Sequence, residues 1–207
     1  MTMRILAAML LLASCGQGAA DPAEAQARDS GRRETALFAG GCFWSTEAAM
    51  EHVPGVVAAV SGFAGGRAAD PSYAQVVAGG TGHLESVRVT YDPARISYGQ
   101  LVRRFLRTID PTDAGGQFCD RGASYRTAVF ALNPAQRREA EAALAEARRT
   151  LRRPVVTPVM APARFYAAGA EHQDYATRNP GRYAAYRRGC GRDRSLRAVW
   201  GSEAATY

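Results

Sequence analysis

The sequence contains no lysine: all 26 of its basic side chains are arginine. Beside the abundant alanine and glycine, that uniformity marks a compositional bias rather than a nucleic-acid footprint. The formal charge is +7, yet no basic patch interleaved with aromatics and no DNA-binding signature goes with it. Nucleic acid is therefore not an expected partner, and the arginines read as surface solvation. Histidine is scarce, with three in the chain, and no pair of them has metal-ligand spacing. Cys-x-x-Cys is also missing. These absences argue against the common zinc sites, and no metal is expected. No apolar run is long enough to span a bilayer. No internal repeat or second domain is visible.

What is present starts at the N-terminus. Arg4 precedes a short apolar run, Ile5 to Leu12, and small residues follow, which is the layout of a secretory signal peptide. Leu12-Ala13-Ser14-Cys15 resembles a bacterial lipobox. Residues 1–15 then form the signal segment, and Cys15 is the expected lipid anchor; cleavage after Ala20 is the plainer alternative. Residues 16–33 are small, polar and rich in alanine, and read as a flexible tether. The expected location is the cell envelope, as a periplasmic lipoprotein or a secreted protein, with the lipid on Cys15 as its only hold on the membrane. Residues 34–207 suit one globular domain, expected to be monomeric. With Cys15 set aside, three thiols are left: Cys42, Cys119 and Cys190. An odd number leaves at least one thiol free at some stage and points to redox chemistry.

Hydrophobic periodicity supplies the elements. Thr35 to Ala39 reads as a strand, Phe43 to His52 as a helix and Val56 to Phe63 as a buried strand. Pro71 to Ala78 is short and helical or irregular. Val87, Val89 and Tyr91 alternate with polar residues, as in a half-buried strand. Ser97 with Gln100 makes a capping box. Behind it Leu101, Val102, Phe105, Leu106 and Ile109 form one apolar stripe, which Asp110-Pro111 ends. A loop from Thr112 to Gly122 leads to a strand from Ser124 to Leu132. Asn133-Pro134 opens a helix to about Leu151. Val155 to Met160 reads as an edge or bent strand because of its prolines. From Ala163 onward, short helices and loops are expected. Interleaved strands and helices imply a sheet covered by helices, in α+β or α/β layering.

Cys42 stands between a Gly-Gly turn and a helix start. Helix N–H groups and the dipole stabilise a thiolate in such a place, and Gly41 lets another molecule approach the backbone. Phe43 and Trp44 can line an apolar pocket for a methyl group. From placement alone, a buried core thiol with plain aromatic packing is an equal reading.

Gly41-Cys42-Phe43-Trp44 resembles the active-site signature of the A-type peptide methionine sulfoxide reductases. Further segments follow in the order of that family: Pro54-Gly55-Val56, Gly62-Phe63-Ala64-Gly65-Gly66, Pro71-Ser72-Tyr73, Gly82-His83-Leu84-Glu85 and Tyr91-Asp92-Pro93. Asp110-Pro111-Thr112, Asp120, Ser124-Tyr125-Arg126-Thr127-Ala128, Glu171-His172-Gln173-Asp174-Tyr175 and Asn179-Pro180 continue it. The resemblance runs from about Glu34 to Pro180. A single tetrapeptide is a weak signal, whereas an ordered series is a strong one.

The resemblance implies an α+β two-layer sandwich with a central mixed sheet, a ferredoxin-like core and a long irregular C-terminal segment. It implies reduction of peptide-bound, and by extension free, methionine S-sulfoxide. Cys42 is then the nucleophile and Glu85 the acid that protonates the departing oxygen. Glu85 shares the face of Val87 and Val89 if the strand starts early enough, and burial then keeps it protonated. Tyr73 and Tyr125 become hydroxyl donors to the same oxygen, and Asp120 a supporting residue. Gly41, Phe43, Trp44 and His172 become substrate contacts, although a structural role suits His172 and His83 equally well. Cys190, between two glycines, is expected to swing to Cys42 as the resolving thiol. Cys119 is either a relay thiol or a bystander. Oxidised proteins and a thioredoxin-like envelope reductant are the implied partners, with no dissociable cofactor. Two rival readings stand beside this one. The first is a thiol peroxidase. The second is a non-enzymatic lipoprotein with structural disulfides, which a permanently bonded Cys42 would favour.

Overall fold

The computed structural model describes residues 31–206. The signal segment, Cys15 and most of the tether lie outside the described residues. Strand β1 (Glu34–Gly40) leads into helix α1 (Phe43–Glu51), and β2 (Val56–Ala64) follows. Helix α2 (Tyr73–Ala78) precedes β3 (Leu84–Tyr91) and α3 (Tyr98–Leu106). A two-stranded ribbon, β4 (Gly116–Gln117) with β5 (Asp120–Arg121), and a 3₁₀ turn at Ala123–Tyr125 come before β6 (Thr127–Phe130). Then come α4 (Pro134–Leu151), β7 (Val159–Met160) and β8 (Phe165–Ala167). The chain closes with α5 (Tyr175–Arg178), α6 (Pro180–Gly189) and α7 (Arg192–Trp200).

The main sheet has the order β7-β6-β1-β3-β2-β8. Its inner four strands, β6-β1-β3-β2, are antiparallel and joined through α1 and α3, which is the ferredoxin-like arrangement. Edge strand β7 lies parallel to β6, so the sheet is mixed. Helices cover one face. There the core joins Ala36 and Phe38 of β1, Val87 and Val89 of β3, and the α3 stripe Leu101, Val102, Phe105 and Leu106. Phe38 stacks on Phe105 at 4.5 Å between ring centroids. The other face carries a smaller cluster of Leu37, Ala39, Ala64, Leu84, Ala128 and Phe130. Burying both faces explains why β3 is almost wholly buried rather than half-buried: of its eight residues only Arg88 is exposed.

The capping boxes explain why α2 and α3 start where they do. Ser72 with Gln75, and Ser97 with Gln100, each satisfy the free N–H groups at the helix start reciprocally. Asn133 caps α4, and Pro134 opens it.

Four expectations are corrected. The first half of β2 is not buried: Val57 is exposed, because the register with β3 shifts between Val56 and Ala58. The strand expected from Ser124 is a 3₁₀ turn first and a strand only from Thr127. Within Val155 to Met160, only the last two residues pair. The C-terminal segment is more regular than expected, with the unforeseen β8 and two helices of nine and ten residues. Among the described residues no helix is long and apolar enough to cross a membrane.

Candidate active site

Strand β1 ends at Gly40, the chain reverses at Gly41 with φ +79°, and Cys42 is the N-cap of α1. A side chain at Gly41 would strike Gln117 Cβ at 2.5 Å. The group lying against this backbone is therefore the chain's own buried Gln117, held by Asp110 and Gly116. That corrects the expectation of an open approach for a ligand at Gly41.

Cys42 is a free thiol, 6 % exposed. Its position at the helix start does not acidify it overall. Burial, followed by the nearby Glu85 carboxyl, pushes the thiol up to about 12, against the pull of hydrogen bonds from Tyr186 and the Trp44 N–H. The sequence-based expectation of a ready thiolate is thus reversed, because desolvation outweighs the helix terminus. Moreover, the first free N–H of the helix serves a different group: Phe43 N–H donates to Glu85 Oε2 at 2.9 Å.

Glu85 sits opposite Phe63 in the β2–β3 ladder and is 1 % exposed. Strand β3 does start early enough, at Leu84, to place it on the face of Val87 and Val89. Burial raises the carboxyl to about 8, with the Phe43 N–H pulling the other way. The acid form therefore prevails at neutral pH. Tyr73, at the start of α2, and Tyr125, in the 3₁₀ turn, lie beside each other. Both phenols are raised, first by burial and then by the Glu85 charge. Elements far apart in sequence thus bring Cys42, Glu85, Tyr73 and Tyr125 together.

Aromatic rings form the wall beside the thiol. The Phe43 centroid lies 6.1 Å from Tyr73 and 5.2 Å from the His172 ring. Trp44 stacks on Tyr175 at 3.8 Å and donates its Nε1–H to His172 Nδ1 at 3.2 Å. Burial lowers the His172 pKa, so the ring is neutral and Nδ1 is free to accept. His83 lies elsewhere, with Nδ1 accepting from Gly66 N–H and Nε2 facing the Ala68 carbonyl. Its role is to brace a loop.

The third side of the site is the C-terminal segment. Cys190 is bonded to Cys119, with Cα atoms 4.9 Å apart. It is not in a mobile tail: Gly191, at φ +61°, joins α6 to α7 directly behind it. Tyr186, one turn before Cys190, donates its hydroxyl to the Asp120 carboxylate and lies next to the Cys42 thiol. Buried Arg192 lies over the Phe118 ring, beside Cys119, and donates to the Thr108 carbonyl. Sequence reasoning missed Tyr186 and Tyr175. Tyr186 was open to detection as the residue one helical turn before Cys190, behind the helix-opening Asn179-Pro180.

A thiol, a protonated carboxyl and two phenols beside an aromatic wall suit transfer of an oxygen atom from a small apolar sulfoxide. The family model for peptide methionine sulfoxide reductases matches residues 34–204. The chain belongs to that family. It is 50% identical over 200 residues to peptide methionine sulfoxide reductase MsrA 2 of Caulobacter vibrioides, covering 96% of this chain and all of the relative. A protein of the same name from Rhizobium meliloti is 51% identical, with 82% and 84% covered. Among solved structures, methionine sulfoxide reductase A of Corynebacterium diphtheriae superposes with a TM-score of 0.67 at 32% identity, covering 72% of this chain and 76% of that one. Reduced Mxr1 from Saccharomyces cerevisiae gives 0.68 at 29% identity, with 78% and 89% covered. The protein is thus an oxidoreductase, a peptide methionine sulfoxide reductase with an α+β mixed sheet.

Proposed function

We propose that the protein reduces the S epimer of methionine sulfoxide, in peptides and proteins, in the cell envelope. The observation that carries this reading is the free Cys42 thiol beside a protonated Glu85, with Tyr73 and Tyr125 next to that carboxyl. The methyl group packs against Phe43 and Trp44, while the oxygen faces Glu85 and the two phenols. As the Cys42 sulfur bonds to the sulfoxide sulfur, Glu85 gives its proton to the oxygen. The thiol proton leaves through the neighbouring Tyr186 hydroxyl, which is hydrogen-bonded to Asp120. Collapse releases methionine and leaves Cys42 as a sulfenic acid: sulfur in the substrate gains two electrons and Cys42 loses two.

Cys190 then condenses with the sulfenic acid, releasing water and forming a Cys42–Cys190 disulfide. Cys119 displaces Cys42 from it. The products are a Cys42 thiol and a Cys119–Cys190 disulfide, the pairing present in the structure. That pairing favours Cys119 as a relay rather than a bystander. Of the two sulfur-bearing residues Cys119 is the more exposed, so a thioredoxin-like dithiol attacks there and restores both thiols by exchange. A thiol peroxidase would need neither the aromatic wall nor the paired phenols.

Turnover of epimer-resolved methionine sulfoxide peptides tests the proposal. The S form is consumed and the R form persists; consumption of both, or of peroxide alone, would refute it. For recycling, Cys119→Ser is expected to accumulate a Cys42–Cys190 disulfide and to lose at least about tenfold in thioredoxin-driven turnover while retaining turnover with dithiothreitol. Equal losses with both reductants would contradict the relay. Envelope attachment rests on the Leu12-Ala13-Ser14-Cys15 pattern. Labelled palmitate should enter the wild type but not Cys15→Ala, and label in neither would remove the anchor.

A further inference from the structure

Three further carboxyl groups meet at the helix that Cys42 caps. Glu47 and Glu51 lie one turn apart on α1, and Asp174 comes from the segment just before α5. A carboxylate oxygen of each lies within 4.8 Å of the others. We propose that Glu47, Glu51 and Asp174 bind a hard divalent cation of the calcium type, which clamps the 172–175 segment onto α1.

The spacing suits such an ion. Calcium holds its oxygen ligands at roughly 2.3–2.6 Å, so two oxygens on one ion stand up to about 5 Å apart. The three groups are already within that limit without any backbone movement. Glu47 supplies the independent sign. It is 1 % exposed, and its Oε2 accepts from Ser61 Oγ at 2.8 Å, but its Oε1 has no hydrogen-bond partner. A buried carboxylate oxygen left in that state is costly, and a cation is one of the few groups that relieves it. Glu51 and Asp174 are exposed and give the ion its entry from solvent.

The donors are all oxygen, which selects a hard cation over zinc or copper. The nearby His52 ring is not a ligand, because its Nδ1 turns back to the Ala48 carbonyl at 2.7 Å. Burial raises the Glu47 carboxyl to about 7, with the Ser61 hydroxyl and the Asp174 N–H opposing and the Glu51 and Asp174 charges adding to the rise. The clamp has a consequence at the active site. Asp174 lies between Gln173, whose side chain bonds Ser61 of β2, and Tyr175, which stacks on Trp44. Holding Asp174 against α1 holds that aromatic wall.

The probe is terbium(III) in place of calcium, added to the chelator-treated full chain, with luminescence excited through Trp44. The expected result is saturable luminescence that calcium displaces, together with a calcium-dependent rise in the melting midpoint. Asp174→Asn and Glu51→Gln, both at exposed positions, are expected to weaken binding at least tenfold. Asparagine tolerates the left-handed backbone at position 174, where φ is +51°, so that variant keeps its fold. Luminescence that calcium does not displace would overturn the proposal. So would unchanged binding in both variants, or a melting midpoint that responds to pH but not to calcium. The last result would assign the cluster to shared protons.

Discussion

Replacing Cys42 with serine lowers turnover of a methionine sulfoxide peptide by about 10⁴-fold or more, the scale on which covalent catalysts lose rate with their nucleophile. The reason is specific to this site. The hydroxyl that replaces the thiol cannot store the oxygen as a sulfenic acid, and Cys42 is the thiol that stands beside the Glu85 carboxyl, which the adjoining Phe43 N–H holds. Serine is close to cysteine in volume, so packing against Phe43 changes little, and the melting midpoint should stay within a few degrees. Residual turnover above a few per cent of wild type would move the nucleophile elsewhere.

The second large effect belongs to Glu85. Glu85→Gln keeps the shape and a hydrogen-bonding capacity but removes the proton, and a positioned general acid contributes roughly 10²–10⁴-fold. The pH profile carries the sharper signature. The Glu85 carboxyl is raised to about 8 by burial. Only its protonated form can donate, so wild-type kcat is level at neutral pH and falls as pH rises through about 8. In the glutamine variant that alkaline limb disappears. A thiolate-limited enzyme would behave in the opposite way, gaining activity as pH climbs toward the raised Cys42 value of about 12. A rising wild-type profile between pH 7 and 9 would therefore contradict the assignment of Glu85 as the acid.

Much of this organisation is legible in the sequence wherever local physics decides it. The Ser97–Gln100 box and the Asn133-Pro134 start fix their helices within a few residues. The placement of Glu85 in phase with Val87 and Val89 follows from the period of a strand. What is not legible depends on contacts between distant segments. Strand β8 has only three residues and exists because Gly62–Ala64 offers a free edge close enough for Phe165–Ala167 to pair. The Cys119–Cys190 bond joins a ribbon to a helix junction, and nothing in the local sequence of either specifies the other. Tyr186 looks like one tyrosine among several in an arginine-rich helix until Asp120 and Cys42 are found on either side of its hydroxyl. The sign of the Cys42 shift is a tertiary quantity as well. The helix terminus is local and visible, whereas the burial that outweighs it comes from the whole fold.

The central claim is that Cys42 takes the oxygen and passes the oxidation to the Cys119–Cys190 pair, recovering its thiol. The most direct measurement is the methionine released when fully reduced protein meets excess sulfoxide peptide with no reductant present. The account predicts two equivalents per chain from the wild type, one stored in the Cys119–Cys190 disulfide and one as a Cys42 sulfenic acid. It predicts a single equivalent from the Cys119→Ser/Cys190→Ser double variant, with dimedone trapping the oxidised Cys42. One equivalent from both proteins, or a dimedone adduct absent from Cys42, would contradict it.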